Sequence, residues 1–488
     1  MVVLLLSGVL WAQCFGRVPL VVAPWFCLVP LLLAFEAGSA LRHGFLFGIS
    51  FWMASVYWIA PTLETFGQLP PWLAGALLVL GCAYLALYSV LFSWAGLRLW
   101  RAGKWLALLG IPAAWVGVEW VRTYLLSGFP WNLAAYAGVE LPGALGLSGI
   151  VGAYGVSYLL VLANTGIAMA WRSRSWRLAV WVVGSCLVVL VWGGRWSTHA
   201  NLESRNVRSI DGLQVRVVQP NIDNMIAYDA SLVQENYSKL QRLSLGACDE
   251  QDALIVWPES AAWPFSYDRD PGLRRDIARL TNRGCAVMLN STVVESGKFF
   301  NAALLVTPGG EVFRYRKRHL VPFGEFVPFA NALPMIKRLA RNAGDYSSGR
   351  EATTLPLGRD QIGPAICYEV TFPAEVADQV RAGASLLVTL TNDAWYGDTT
   401  APWQHFRAAR FRAAENQRPL IRAAITGVSG LISPTGEVQQ RLGVGEEGVI
   451  RGVVFGQTGL TPFSRYPGAV PLLCLAFSGL ALFISSRR

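Results

Sequence analysis

The sequence predicts a polytopic α-helical membrane protein of about eight spans, with one α/β domain inserted before the last span. Three observations predict it. Of 488 residues, 53% are hydrophobic and 15% charged, against roughly 25% charged in soluble domains. The apolar residues are gathered into runs near the length of a bilayer-crossing helix, about 20 residues. One long segment, 196–466, breaks that pattern and reads as mixed and soluble.

The runs come first in chain order. They cover 2–14, 18–35, 40–62, 71–98, 104–122, 148–171 and 176–193, and 467–485 closes the chain. This divides the protein into transmembrane helices one to seven (1–195), a soluble domain (196–466) and a C-terminal transmembrane helix (467–488). Met1–Gln13 lacks a basic start, and Trp11-Ala12-Gln13-Cys14 is a poor processing site, so cleavage as a signal peptide is not expected.

Charge sets the orientation. With the N-terminus inside, the inner turns hold Arg42, then Arg98, Arg101 and Lys104, then Arg172, Arg174 and Arg177, and last Arg487 and Arg488. The outer turns hold only Arg17, Arg122 and Arg195. The positive-inside bias puts 196–466 on the outer face. With the four acids of the apolar part, Glu36, Glu64, Glu119 and Glu140, these twelve basic residues give +8 of the net charge of +10. The soluble domain is nearly neutral and has no basic excess for nucleic acid.

Eight cysteines and four histidines show no CxxC or Cys/His spacing of a zinc site. No metal or cofactor is expected. Three cysteines, Cys248, Cys285 and Cys367, fall in the soluble domain. In an oxidising compartment an odd set leaves one thiol free.

Within 196–466, strands are expected at Leu213–Gln219, Ala253–Trp257, Cys285–Val293, Ala302–Thr307, Gly363–Cys367, Ser385–Thr391, Leu420–Ile425 and Gly430–Ser433. Amphipathic helices are expected at Ser231–Leu243, Leu273–Arg283, Phe372–Ala382 and Gln404–Gln417. Short strand-like runs alternating with helices imply a layered α/β fold.

Three polar residues stand at or just after strand-like runs: Glu259 in WPES, Lys317 in YRKRHLVPFGE and Cys367 in AICYE. Taken singly, each has a plain structural reading as a turn carboxylate, a solvated basic residue and a core thiol. Together they form an acyl-transfer set without histidine. A thiol needs a base, a carboxylate is one, and an ammonium stabilises an oxyanion.

WPES, YRKRHLVPFGEFVP, ICYE and TNDAWYG resemble the nitrilase superfamily. The resemblance implies an αββα sandwich and a Glu-Lys-Cys triad. HLVPFGEFVP, TNDAWYG followed by PWQHF, TGLTPFSRYPG and, among the spans, SGFPWN are similar to its membrane-embedded branch, the apolipoprotein N-acyltransferase family. That resemblance covers nearly the whole chain. It implies Glu259 as general base, Lys317 as oxyanion-stabilising lysine, Cys367 as nucleophile and Glu325 as a supporting carboxylate. Tyr368 and Glu369 match residues flanking the nucleophile, and the Tyr368 N–H is a natural second oxyanion donor. The implied donor is a membrane phospholipid, through its sn-1 chain. The implied acceptor is the N-terminal amine of a diacylglyceryl-cysteine on apolipoproteins. The implied setting is the bacterial inner membrane, where the charge bias makes the catalytic domain periplasmic; nothing in the sequence suggests an oligomer, so a monomer is expected.

The chain departs from the family where Asn-Ile-Pro and a Lys-Trp pair are usual. It has Asn221-Ile222-Asp223 and then Ala227-Tyr228, so Tyr228 replaces a tryptophan associated with substrate handling. Tyr228, Phe323, Phe326, Asn392 and Trp395 are the candidate substrate-binding residues. Phe323 to Leu339, including Phe329, Met335 and Ile336, reads equally as a bilayer-dipping lid or as core packing. His405 and Arg410 read as structural residues of one helix, and Glu119 with Arg122 as a local i,i+3 pair. Two other functions fit less well. Eight spans are excessive for a membrane-anchored nitrilase-type amidase acting on a small amide. A transporter or lipid-binding protein leaves Cys367 without a role.

Overall fold

The computed structural model describes residues 1–36, 38–203, 212–222, 230–249, 252–328 and 344–487. The side chains of 196–203, 230 and 231 are not described. Tyr228 and the stretch from Phe329 to Leu339 therefore lie outside the described residues. The chain separates into two compact units. One comprises Met1–Pro61, Pro70–Glu203 and Thr461–Arg488, and the other Thr62–Leu69 and Ser204–Leu460.

The first unit is helical. Four of its helices are long and apolar enough to cross a membrane: Pro71–Ala102, Ala144–Ser173, Trp176–Arg195 and Ala469–Ser486. Ala40–Ser55 with Ile59–Thr65, bent by 51°, makes a fifth if the bent pair counts as one span. The count is thus four or five by length and composition among the described residues, against the eight runs of the sequence. Proline explains part of the difference. The run 18–35 holds Pro19, Pro24 and Pro30 and forms a short 3-10 turn, Ala23–Trp25, and a short helix, Val29–Leu33. A proline removes a helical N–H and starts a helix more readily than it continues one.

Glycines set the closest approaches. Gly152 breaks Ala144–Ser173 with φ +67, and a Cβ there would stand 2.6 Å from the Phe463 ring. At Gly143, φ +81, a Cβ would overlap the Leu190 carbonyl of the next helix. Small residues let helices pack this tightly in lipid. Glu119 and Arg122 hold the turn after their helix. Glu119 accepts from the Ala134 N–H at 2.7 Å, and Arg122 donates to the carbonyls of Phe129 (3.0 Å) and Trp131 (2.7 Å).

The second unit contains two six-stranded sheets. The first comprises β1 (Leu213–Gln219), β2 (Leu254–Val256), β3 (Ala286–Glu295), β4 (Lys298–Val306), β5 (Val312–Arg316) and β12 (Gly448–Val454), in the order β12-β1-β2-β3-β4-β5. The second comprises β6 (Leu355–Leu357), β7 (Asp360–Ile366), β8 (Leu386–Thr391), β9 (Leu420–Ala424), β10 (Ser429–Ile432) and β11 (Val438–Leu442), in the order β11-β10-β9-β8-β7-β6. The central strands β1, β2 and β3 run parallel, as do β7, β8 and β9.

Side chains alternate across each strand with period two, and the core follows that period. Leu254, Val256, Met288, Ile366, Val388 and Ile421 meet in one apolar layer between the sheets. Ala253, Ile255, Trp257 and Val287 pack on the other face against helices Ala230–Ala247 and Pro271–Thr281. Ala365, Leu387 and Leu420 pack against Pro373–Arg381 and Ala401–Asn416. The result is an αββα sandwich.

Candidate active site

Four polar segments reach one end of the sandwich because their strands share a direction. β2, β7 and β8 are inner parallel strands, and β5 regains the direction of β3 after two antiparallel steps. Glu259, Cys367, Asn392 and Lys317 each follow the C-terminal end of one of them. In open α/β sheets that end is where ligand-binding residues gather.

Glu259 follows β2 at Trp257-Pro258. The proline cannot extend the ladder, and Ser260, φ +61, turns the chain away. The Glu259 carboxylate is buried and three donors hold it. Oε1 accepts from Asn301 Nδ2 at 3.0 Å and from Lys317 Nζ at 3.4 Å. Oε2 accepts from the Asn392 N–H at 3.1 Å.

Lys317 is 1% exposed. Its backbone N–H donates to the Asn301 carbonyl at 2.8 Å, which extends the β4–β5 ladder by one residue. Its ammonium also donates to Glu325 Oε1 at 2.9 Å. Burial pushes the Lys317 ammonium down, but the carboxylates of Glu259 and Glu325 outweigh it, and the net direction is up. Lys317 is therefore a cation at neutral pH.

Glu325 sits on a tight turn. Phe323, φ +63, donates its N–H to the Phe326 carbonyl at 2.8 Å, and Glu325 Oε2 accepts from the Val321 N–H at 2.8 Å. Asn301 Nδ2 bridges the two acids, giving 2.6 Å to Glu325 Oε1 as well. Asn290 Nδ2 in turn donates to Asn301 Oδ1 at 2.6 Å, and Asn290 Oδ1 accepts from the Ser260 N–H at 3.0 Å. The sequence reading missed Asn290 and Asn301. Their signal was an amide inside otherwise apolar strand sequence, where a polar group must find partners.

Cys367 follows β7 and opens a 3-10 turn, Cys367–Thr371, with φ +51. A left-handed conformation at a non-glycine residue costs on the order of 1–3 kcal/mol and tends to mark functional sites. The thiol is 6% exposed. Burial pushes it well above the usual thiol range, Glu259 adds to that, and Lys317 pulls the other way. It is therefore a neutral thiol that needs a base. Among the cysteines of the second unit, Cys248 and Cys285 form a disulfide and Cys367 is free.

Glu369 braces the two active segments. Its Oε2 accepts from the Ile366 N–H (2.6 Å), and its Oε1 from the Tyr315 hydroxyl (2.7 Å) and the Arg318 N–H (2.6 Å). The ends of β5 and β7 are thus tied to one carboxylate. Tyr368 is buried, with its ring edge-on to Phe372 at 5.1 Å.

The candidate binding residues separate. Asn392 is buried, and its contribution is a backbone hydrogen bond to Glu259 rather than an exposed wall. Trp395 is 39% exposed; the Phe66 ring lies 4.3 Å from it, and Thr62 donates to its carbonyl at 2.8 Å. Phe323 is 54% exposed and Phe326 half-buried.

His405 touches the site, although the sequence marked it only as structural. Its Nε2 lies 3.0 Å from the Cys367 carbonyl. Its Nδ1 lies 3.0 Å from Asp393 Oδ1 and 3.1 Å from an Arg422 nitrogen, and that nitrogen donates to Asp393 Oδ2 at 2.7 Å. Burial opposes ionisation of Asp393, but Arg422 and His405 bring it to about 2. Burial and then the Arg422 cation push His405 down. Among the described residues no three His, Cys, Asp or Glu side chains converge as a metal site requires.

Residues 214–455 match the carbon-nitrogen hydrolase family, and residues 7–166 match the apolipoprotein N-acyltransferase N-terminal domain. The apolipoprotein N-acyltransferase of Geobacter metallireducens is 34% identical over 99% of this chain and 94% of its own length. That of Vibrio cholerae is 30% identical over 93% of this chain and 90% of its own. Among solved structures, Saccharomyces cerevisiae Nit3, a nitrilase-superfamily member, is 20% identical over 53% of this chain and 94% of its own, with a TM-score of 0.38. The fold and the matched segment define a carbon-nitrogen hydrolase domain in a chain that also has an apolar helical unit. The chain belongs to the apolipoprotein N-acyltransferase family.

Proposed function

We propose that this chain acylates the N-terminus of lipoproteins by a ping-pong route through Cys367, with a membrane phospholipid as donor. The observation that carries this reading is a buried, neutral thiol beside a carboxylate–ammonium pair, in a chain of this family. Glu259 takes the Cys367 proton as sulfur attacks the sn-1 ester carbonyl. Lys317 and the Tyr368 N–H bear the oxyanion. The C–O bond breaks, the proton on Glu259 passes to the departing lysophospholipid oxygen, and a thioester remains. The α-amine of a diacylglyceryl-cysteine then attacks the thioester and Glu259 takes its proton. The C–S bond breaks, the amide forms and the thiol is restored. Glu325 and Glu369 hold Lys317 and the two strand ends. Trp395, Phe323, Phe326 and Tyr228 are the residues assigned to the lipid chains.

Intact mass after incubation with phospholipid tests the thioester. The expected result is a hydroxylamine-labile acyl adduct on the wild type and none on Cys367→Ala. No adduct on the wild type with any phospholipid rejects the route. An adduct discharged by water as fast as by an amine acceptor makes the protein an amidase-like hydrolase.

The same reading takes the eight apolar runs as eight crossings of the inner membrane and the catalytic domain of a monomer as periplasmic. Two independent features support the side. Arg and Lys concentrate in the opposite set of turns, and the Cys248–Cys285 disulfide suits an oxidising compartment. A cysteine placed at exposed Lys298 is expected to react with an impermeant maleimide in intact spheroplasts. Labelling only after lysis reverses the topology.

A further inference from the structure

A peptide group is planar and trans, so whatever fixes the Cys367 carbonyl also fixes the Tyr368 N–H on the far side of the same plane. His405 Nε2 reaches this carbonyl from the side, at 3.0 Å. A carbonyl only accepts, so Nε2 carries the proton whether the ring is neutral or charged. The other ring nitrogen is wedged between Arg422 and Asp393, whose side chains are fully buried and joined to each other at 2.7 Å. Asp393 directly follows Asn392, whose N–H holds the base Glu259 at 3.1 Å. One buried cluster therefore reaches the nucleophile's peptide from one side and the base from the other.

We propose that His405 is a positioning residue that aims the Tyr368 N–H at the reaction oxyanion, and that the Asp393–Arg422 pair locks its ring. This rests on the reading of Cys367 as nucleophile. Without the His405 bond only the 3-10 turn that opens at Cys367 restrains the Cys367–Tyr368 peptide, and the left-handed φ of +51, an uncommon conformation for cysteine, favours its rotation. Rotation turns the N–H out of the site and leaves Lys317 as the remaining donor. The thiol and its base stay in place.

That difference separates positioning from general structural support. Alkylation of Cys367 by iodoacetamide forms no oxyanion, whereas acylation by phospholipid does. In His405→Leu, single-turnover acylation is expected to fall by ~10²–10³-fold, the scale of one lost oxyanion donor, with KM for phospholipid nearly unchanged. Iodoacetamide alkylation is expected to stay within about threefold of wild type, and His405→Gln, which keeps a donor, to recover most of the acylation. Equal loss of acylation and alkylation, or loss of neither, overturns the proposal, as does a Gln variant as slow as the Leu variant. If His405→Leu is not recovered folded, His405→Asn decides, because its shorter amide keeps polarity but falls short of the carbonyl. Acylation by His405→Asn equal to that by His405→Gln then overturns it, and at least about tenfold slower acylation with unchanged alkylation supports it. An acyl adduct that persists in Cys367→Ala instead removes the nucleophile assignment itself, whatever His405 does.

Discussion

Glu259→Gln is expected to lower acyl transfer by about 10³-fold at pH 7, within the range for loss of a positioned general base. The size follows from the thiol. Burial and the Glu259 charge both hold Cys367 above the usual thiol range, so almost no thiolate is present at neutral pH and the proton must leave as sulfur attacks. The amide keeps the size of the carboxylate but cannot take the proton. Hydroxide or water must then do so, and the residual rate is expected to rise with pH by about one decade per unit. Removing the Glu259 charge also removes one of the influences that hold the thiol up, so Cys367 titrates at lower pH than in the wild type, and the rise levels off there. The amide also sets an N–H₂ against one of the three donors that hold the carboxylate, which costs roughly 1–3 kcal/mol of stability. Single-turnover acylation across pH 6–10 checks this. A variant within tenfold of wild type, or a loss that does not change with pH, removes Glu259 as the base.

Much of the catalytic sandwich was legible because its central strands are apolar and end on turn signals. Leu213–Gln219 was read to the residue, and the runs at β2, β3, β7, β8 and β9 were found within a few positions. The four strands the sequence did not reveal, β5, β6, β11 and β12, are the four edges of the two sheets. Edge strands are short, charged or glycine-bearing because an apolar edge invites pairing with another chain. VFRYR, VQQRL and GVIRGVV therefore lack the pattern that marks a buried strand.

Site legibility divided in the same way. Glu259, Lys317 and Cys367 stood out because charged or reactive groups followed apolar strands. Glu325 stood out by resemblance alone. Asn301 and His405 act through contacts across the sequence, 42 and 38 residues away; an amide inside an apolar strand signals that a partner is needed, but no local pattern says which partner. The eight apolar runs exceed the four or five described helices that are long and apolar enough to cross a membrane, because hydropathy measures composition whereas a long helix must also be unbroken. Prolines at 19, 24 and 30 break one such run.

Lys317→Met is expected to have the largest effect on both activity and stability. In the wild type one ammonium stands between two buried carboxylates, 2.9 Å from Glu325 and 3.4 Å from Glu259. Replacing it leaves two acids that share a single Asn301 amide. Breaking a buried ion pair by removing one partner costs about 3–5 kcal/mol, and the loss of the charged oxyanion donor is expected to reduce acylation by at least ~10³-fold. The two effects separate by pH. Without the cation, the facing carboxylates are stabilised by taking up one shared proton. The folded variant then binds more protons than the unfolded chain, so its stability rises as pH falls and drops as pH rises. The wild-type lysine, held above its ordinary value, contributes its stability fully below about pH 10.4 and loses it only above that, so it adds no slope at neutral pH. The melting temperatures of the two proteins are therefore expected to converge towards pH 5 and diverge towards pH 8, while acylation stays absent throughout. Adding Glu325→Gln to Lys317→Met removes the second charge and is expected to recover most of the stability and none of the acylation, because one carboxylate with an amide beside it no longer needs the cation but the oxyanion still does. Acylation that returns with stability in this double variant rejects Lys317 as an oxyanion donor and leaves it a purely structural counter-ion.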